Sequence, residues 1–256
     1  MVGHLRTAKA GNDWSQADLR AYNIVVEFQD AATFFGVNPL PRPPVANEVL
    51  NNVAANDMAD PDNYTLLRYM DLAMDTSVPM QESSVDDFAA HLLSLLGYNS
   101  RPRMVCKRVE IPLAICGETR NAKTNVCIVD TDNILLIIQE EKRQEDAEPQ
   151  LVAEAIATFQ ADCYRRTHVL GQDPITHKVI PGITLFGTFP TFYKIPVTTA
   201  LAESVSSGIF PEECTIVHAH RPQLDPPARC LSESMKPLDN RASILACYEA
   251  FKTFVN

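Results

Sequence analysis

A carboxylate and an ammonium two positions apart close the segment from Lys123 to Lys142, KTNVCIVDTDNILLIIQEEK. In an extended strand, residues i and i+2 project from the same side, so Glu140 and Lys142 share one face of a sheet. That pairing suits phosphate chemistry. A carboxylate can hold a hard divalent cation that activates water, and a neighbouring Lys can offset the charge growing on a phosphoryl oxygen. Glu140-Glu141-Lys142 is the sole acid-x-Lys triplet among 32 acidic residues, and about one is expected by chance, so the surrounding elements must carry the reading. The bland alternative is a solvated strand end with a weak ion pair.

The elements that would position this pair are legible from periodicity. Apolar runs predict strands at about 104 to 115, 124 to 130 and 134 to 141, the last two joined by a tight polar turn. Before them, Val85, Ala89, Leu92 and Leu96 mark a helix from about Glu82 to Leu96, which Gly97 stops. Glu82 and Asp86 lie one turn apart on it, either as site acids or as first-turn charges that the helix dipole favours. After the strands, Leu151, Ala155 and Phe159 predict a second helix at about 149 to 164. Strand composition returns in GITLFGT at 182 to 188, FYKIPVT at 192 to 198 and TIVHAH at 215 to 220, with a short helix at about 200 to 206 between the last two. A final helix carries Asp239 as a cap and Ile244, Tyr248, Phe251 and Val255 as its buried stripe. Residues 1 to 75 read as irregular apart from DLRAYNIVVEFQDAATFF, which is open to a helix or a strand, with a proline-stiffened NPLPRPPV at 38 to 45, and are expected to wrap the core.

Composition narrows the function classes. The 256 residues are 46% hydrophobic and 21% charged, ordinary for a soluble protein with one principal core, and no apolar run approaches a membrane span. The N-terminus lacks a signal-peptide pattern, so the expected location is intracellular, cytoplasm or nucleus. Seven cysteines, odd in number and without a CxxC pair, are read as reduced and mostly structural. His218, His220 and Cys214 in CTIVHAH lack a fourth ligand at zinc spacing. Lys194 is read as ending a strand or neutralising an acid. A net charge of -10 argues against a general binder of duplex phosphates. Yet residues 101 to 125 hold 6 bases (Arg101, Arg103, Lys107, Arg108, Arg120, Lys123) against 2 acids, a basic patch or else a charge-protected strand edge.

The order helix, three strands, helix, strand, with Glu-x-Lys ending the third strand, resembles the PD-(D/E)xK restriction-endonuclease-like superfamily. Over most of the chain, the runs YNIVVEFQDAATFFGVNPLP, AICGETRNAKTNVCIVDTDNILLIIQEEKR, EPQLVAEAIATFQ and PGITLFGTFPTFYKIPVT resemble an uncharacterised family of mushroom-forming fungi. The superfamily resemblance implies an α/β (α+β) fold with a central mixed sheet flanked by helices. It divides the chain into an N-terminal wrap (1-75), a nuclease-like α-βββ-α-β core (76-200) and a C-terminal lobe with its helix (201-256). It puts Glu140 on a metal ion, Lys142 on the attacking water or scissile phosphate, and Glu82 as the acid from the preceding helix.

The superfamily's central aspartate corresponds to Asn125, a departure that costs the site a negative charge. Asp130 falls on the opposite strand face and roughly 17 Å away, so it is a poor substitute, whereas Glu118 precedes the middle strand and is a further candidate ligand. Gln150 matches the Gln of a Gln-x3-Tyr pattern, with Glu154 where the Tyr would be. Gln150, Lys123 and Arg120 are therefore expected near the substrate. The implied cofactor is Mg²⁺ or Mn²⁺ and the implied partner DNA or RNA, with a protein partner or homo-oligomer also open and no membrane. Two alternatives stand beside the phosphodiesterase: a catalytically degenerate pseudo-nuclease acting as a binding or scaffold module, and a fold reused for small-molecule chemistry or scaffolding, whose marker would be a deep apolar pocket away from Lys142.

Overall fold

A computed structural model describes residues 6–75, 81–131, 133–140, 147–224 and 233–255, and the side chains of residues 81 and 82 fall outside that description. Seven strands form one mixed sheet: β1 (Ile24–Phe28), β2 (Arg103–Ile115), β3 (Glu118–Asp130), β4 (Asn133–Glu140), β5 (His177–Phe186), β6 (Phe189–Thr198) and β7 (Thr215–His220). Their order across the sheet is β1-β7-β6-β5-β4-β3-β2. β2, β3 and β4 make an antiparallel meander, and β4 then runs parallel to β5. Parallel neighbours need a crossover, and α6 (Glu148–Tyr164) supplies it. The remaining helices are α1 (Gln16–Ala21), α2 (Ala31–Phe35), α3 (Asn47–Asn51), α4 (Pro61–Met74), α5 (Gln81–Leu95), α7 (Thr199–Ser207) and α8 (Leu238–Phe251).

Each sheet face is buried under its own apolar layer. Val126, Ile128, Leu136, Ile138, Ile183 and Leu185 pack with α4, α5 and α8, whereas Ala122, Ile137, Ile180, Tyr193 and Val217 pack with α6, α1 and α7. Strand alternation explains the division along β4, where Ile137 and Ile138 point to opposite faces, whereas β3 changes face between Ala122 and Val126, at the gap in its ladder with β2. A sheet covered on both sides also explains why β4 reads as one continuous apolar run, NILLIIQ. α6 is buried almost all round from Leu151 to Phe159 and lies unusually close to β5. Gly182 permits this approach: a Cβ there would come within 2.9 Å of the Leu151 side chain.

Several sequence expectations are corrected. The first 75 residues are not irregular: Asp60 caps α4 by accepting from the Asp62 and Asn63 amides, Pro61 opens it, and Leu66, Leu67, Met70 and Ala73 are buried. Nor does this region only wrap the core, since β1 pairs in parallel with β7 as a sheet edge. The middle strand begins at Glu118 rather than near Thr124, because a tight turn at Cys116 and Gly117 lets the hairpin continue. In α8 the cap position is Pro237, and Asp239 sits in the first turn, where its charge still complements the dipole. Lys194 lies inside β6 and meets no acid in the described structure. It donates to the Phe34 carbonyl at 2.7 Å and stands over the Phe34 and Phe254 rings at 4.5 and 5.0 Å. Burial lowers its pKa. Among the described residues, no helix is long and apolar enough to cross a membrane.

Candidate functional site

β3 and β4 part company in the middle of the sheet. Their pairing runs as far as Val126↔Ile138, after which β3 pairs only with β2 while β4 continues beside β5 to Glu140↔Leu185. The Thr124 hydroxyl bridges the parting, donating to the Val126 carbonyl at 2.9 Å and approaching the Ile138 carbonyl at 3.5 Å. A fork is left, bounded by Asn125 on β3 and Glu140 at the end of β4.

On the α5 side of the fork, Asn125 Nδ2 donates to Asp86 Oδ1 at 2.9 Å. Asp86 is only 6% exposed. It lies in the second turn of α5, so it is not the solvated first-turn charge that its spacing from Glu82 allows. Burial raises its pKa, against the Asn125 amide and the positive charges of Arg108 and Lys107, which pull the other way. Glu140 follows Ile138 by two residues and pairs with Leu185, and both of these belong to the layer under α5, so alternation directs Glu140 to that same side. Thus Asp86, Asn125 and Glu140 share one face around the fork. Glu82 lies one helical turn before Asp86 on α5. Lys142 lies outside the described residues.

On the α6 side, Gln150 Nε2 donates to Glu154 Oε1 at 3.1 Å and approaches the Lys123 carbonyl at 3.4 Å. Glu154 is fully buried, and its Oε2 finds no partner among the described residues. Burial drives its pKa well above the ordinary carboxylate value, with the Gln150 amide opposing, so the side chain is held as the neutral acid. Cys127, also fully buried, has its thiol pushed up to about 12, mainly by burial, with Cys106 and Glu154 adding to the effect. The Gln139 side-chain oxygen and the Thr184 hydroxyl, register partners on β4 and β5, are buried without partners among the described residues as well. The α6 side of the fork thus carries several buried polar groups, as does the region of Thr188, Ser234 and Arg241 near α8.

Two expected residues stand elsewhere. Glu118 and Arg120 pair with each other at 2.7 Å beside the hairpin turn, where Glu118 is roughly 23 Å along the strand from Asn125. Lys123 is exposed, and its backbone carbonyl is the group engaged with Gln150. In the basic stretch, β2 is a sheet edge and Lys107 is bound to Asp87 of α5. Such charges suit the protection of an open edge. His218 Nδ1 meets Gln29 Nε2 at 3.0 Å and His220 Nδ1 meets the Gln29 carbonyl at 3.0 Å, so both rings are used in holding β7 to the chain after β1. No group of three or more His, Cys, Asp or Glu side chains suited to a metal stands among the described residues.

Sequence reasoning noticed Asp86 and Glu154 without assigning them their places. The available signals were helical spacing: Asp86 four residues after Glu82, and Glu154 four after Gln150. A separate cavity of about 630 Å³ lies among β6, α7 and the start of β7, lined by Leu201, Glu203, Ile209, Phe210, Glu212 and Ile216, among others. It borders Thr198, which pairs with His177 at the start of β5, whereas Glu140 pairs with Leu185 near its end. The two places are separated by roughly 25 Å of strand. Comparison with protein-family models and with curated proteins gives no match.

Proposed function

We propose that the chain is a metal-dependent nuclease-like protein, of the PD-(D/E)xK restriction-endonuclease-like type, that hydrolyses phosphodiester bonds of DNA or RNA at the β3–β4 fork. The observation that carries this reading is the Asn125–Asp86 hydrogen bond on the face to which strand alternation directs Glu140, where the two strands separate. Such openings at strand ends beside a crossover helix are where α/β sheets favour ligands. The order α5-β2-β3-β4-α6-β5 supports the fold assignment.

The donor set suits Mg²⁺ or Mn²⁺, because every candidate atom is a hard oxygen. Glu140 and the Asn125 side-chain oxygen would hold the ion, with Glu82 as the further acid from α5. When bound, the cation supplies Lewis-acid activation of water. Asp86 has a positioning role: by taking the Asn125 amide hydrogen, it leaves the amide oxygen as the group offered to the fork. It also returns to this side of the fork the carboxyl that Asn125 lacks. Burial raises its pKa, and a cation nearby would lower it again. Lys142 would offset negative charge on the phosphoryl oxygens. Glu118 and Arg120 have no part in this proposal, since they are paired with each other at the hairpin turn.

The same Asn125–Asp86 bond favours a second reading, in which the site is catalytically degenerate and the fold persists as a binding or scaffold module. A third reading, small-molecule chemistry remote from the fork, would use the cavity beside α7, although Glu203, Glu212 and Glu213 in its lining make it less apolar than that reading expects. Cleavage of single- and double-stranded DNA and RNA, with Mg²⁺, Mn²⁺ or EDTA, separates them. The expected result is metal-dependent cleavage that Glu140→Ala lowers at least about 100-fold, the scale at which removal of an electrostatic catalytic group is felt. Absence of cleavage by folded protein under every condition overturns the phosphodiesterase reading and leaves the other two.

A further inference from the structure

The turn between β2 and β3 sets the bonding phase of the hairpin as far as Val109↔Thr124. Cys116 and Gly117 both have positive φ, 52° and 78°, as a two-residue type I′ turn requires. Ile115↔Glu118, the pair flanking it, then exchanges both backbone hydrogen bonds, and bonded and non-bonded pairs alternate from there. Two observations agree with this phase. Ala114, in the first non-bonded pair, turns its backbone outward, where Gln160 engages both groups: Ala114 N donates to Oε1 at 2.9 Å and Nε2 donates to the Ala114 carbonyl at 3.0 Å. Pro112, which has no N–H, occupies the next non-bonded pair, opposite Asn121.

The alternation changes phase at the gap where Arg108 and Asn125 do not pair, since Ala122 and Val126, four apart on β3, lie in opposite apolar layers, and beyond it Cys106 and Cys127 stand directly opposite each other. Directly opposed residues of an antiparallel pair have Cα atoms about 4.5–5.5 Å apart and side chains on one face. A disulfide spans Cα separations of about 4.4–6.8 Å. Both thiols are free. They differ in access: Cys127 is fully buried in the sheet, whereas Cys106 is half-buried on the edge strand.

We propose that Cys106 and Cys127 form an oxidation site, converted to a cross-strand disulfide by a small-molecule disulfide of the glutathione class. The Cys106 thiolate attacks one sulfur of the oxidant, the oxidant's S–S bond breaks, and one glutathione leaves as the thiolate. Cys127 then attacks Cys106 Sγ, the mixed S–S bond breaks, and the second glutathione leaves. Two protein thiols are oxidised, one disulfide is reduced to two thiols, and the two protons pass to the departing thiolates. The new bond ties the edge strand to β3 two residues from Asn125, beside the gap in the ladder where Arg108 takes a φ of 56° and Arg108 and Asn125 do not pair.

The test is incubation of the folded, reduced protein with glutathione disulfide, followed by alkylation and a non-reducing tryptic map. Lys107, Arg108, Arg120 and Lys123 lie between the two cysteines, so trypsin separates their peptides unless they are cross-linked. The expected product is one peptide pair joined through Cys106 and Cys127 and released by dithiothreitol. Cys127→Ala should halt the sequence with glutathione on Cys106. Cys106→Ser, at the half-buried edge position, should leave Cys127 reduced under the same oxidant. Full alkylation of both wild-type thiols, pairing of either with another cysteine, or oxidation of Cys127 at the wild-type rate in Cys106→Ser would each overturn the proposal.

Discussion

Arg241 and Glu154, two of the ionisable side chains buried in this molecule, lie under opposite faces of the sheet, and the protein treats them differently. Arg241, 1% exposed under the α8 layer, donates to four backbone carbonyls: Met235 at 3.1 Å, Val49 and Asn52 at 2.8 Å each, and Lys236 at 3.0 Å. Glu154, 0% exposed beneath the other face, has one hydrogen bond from Gln150 and a second oxygen with no partner among the described residues. Every donor nitrogen of the guanidinium is used, so its burial makes structural sense: it ties α8 to the loop ends of α3. The carboxyl is incompletely satisfied and shifts to its neutral form instead. Places where the rules of buried polarity are broken are where function is expected, and this one borders the fork between β3 and β4.

The sharpest way to break the comparison is to delete the well-satisfied group. Arg241→Ala leaves four inward carbonyls without their donor and a void beside α3, and is expected to cost about 3–5 kcal/mol, as breaking a buried charged network does. Urea denaturation should show the midpoint falling with little change in slope. A loss below about 1 kcal/mol would mean that water replaces the guanidinium, and the contrast with Glu154 would fail.

Glu154→Gln sharpens the other side, with a smaller effect. The folded pKa of Glu154 lies above the unfolded carboxylate value of 4.5, so between the two the folded state binds more protons than the unfolded. Its contribution to stability is full below about pH 4.5 and declines as pH rises toward the folded pKa, by at most about 1.4 kcal/mol per pH unit. The neutral amide removes this dependence. Relative to wild type, Glu154→Gln should gain at least about 1 kcal/mol at pH 8 and little at pH 4. Parallel stability curves for the two proteins would show that Glu154 is not held neutral.

Much of the frame was legible because it rests on local periodicity. α5, the β2–β4 meander, α6 and the later strands follow from apolar spacing, and the boundaries of α5 and α6 differ from expectation by at most one residue at either end. α4 was harder to see because Asn63, Tyr64 and Thr65 dilute its first turns, though Asp60-Pro61 is a helix-start signal. β1 could not be placed from local pattern, since its pairing with β7 joins residues almost the whole chain apart, Ile24 with Thr215. The candidate site divides in the same way. Glu140 and Asn125 were legible as strand positions. Their relation to Asp86 depends on how α5 packs across the sheet, and the burial of Glu154 depends on α6 settling against β3 and β5. Lys194 was misread for the same reason, since its acceptor is the carbonyl of Phe34, on an element 160 residues away.

The central claim is that the fork on the α5 face holds a divalent cation through Glu140. The most direct test is calorimetric titration of Mn²⁺ into wild type and Glu140→Ala, both shown to be folded. A saturable site in wild type that weakens at least about tenfold in the variant, or about 1.4 kcal/mol, is the expected result. Identical titrations of the two proteins would contradict it.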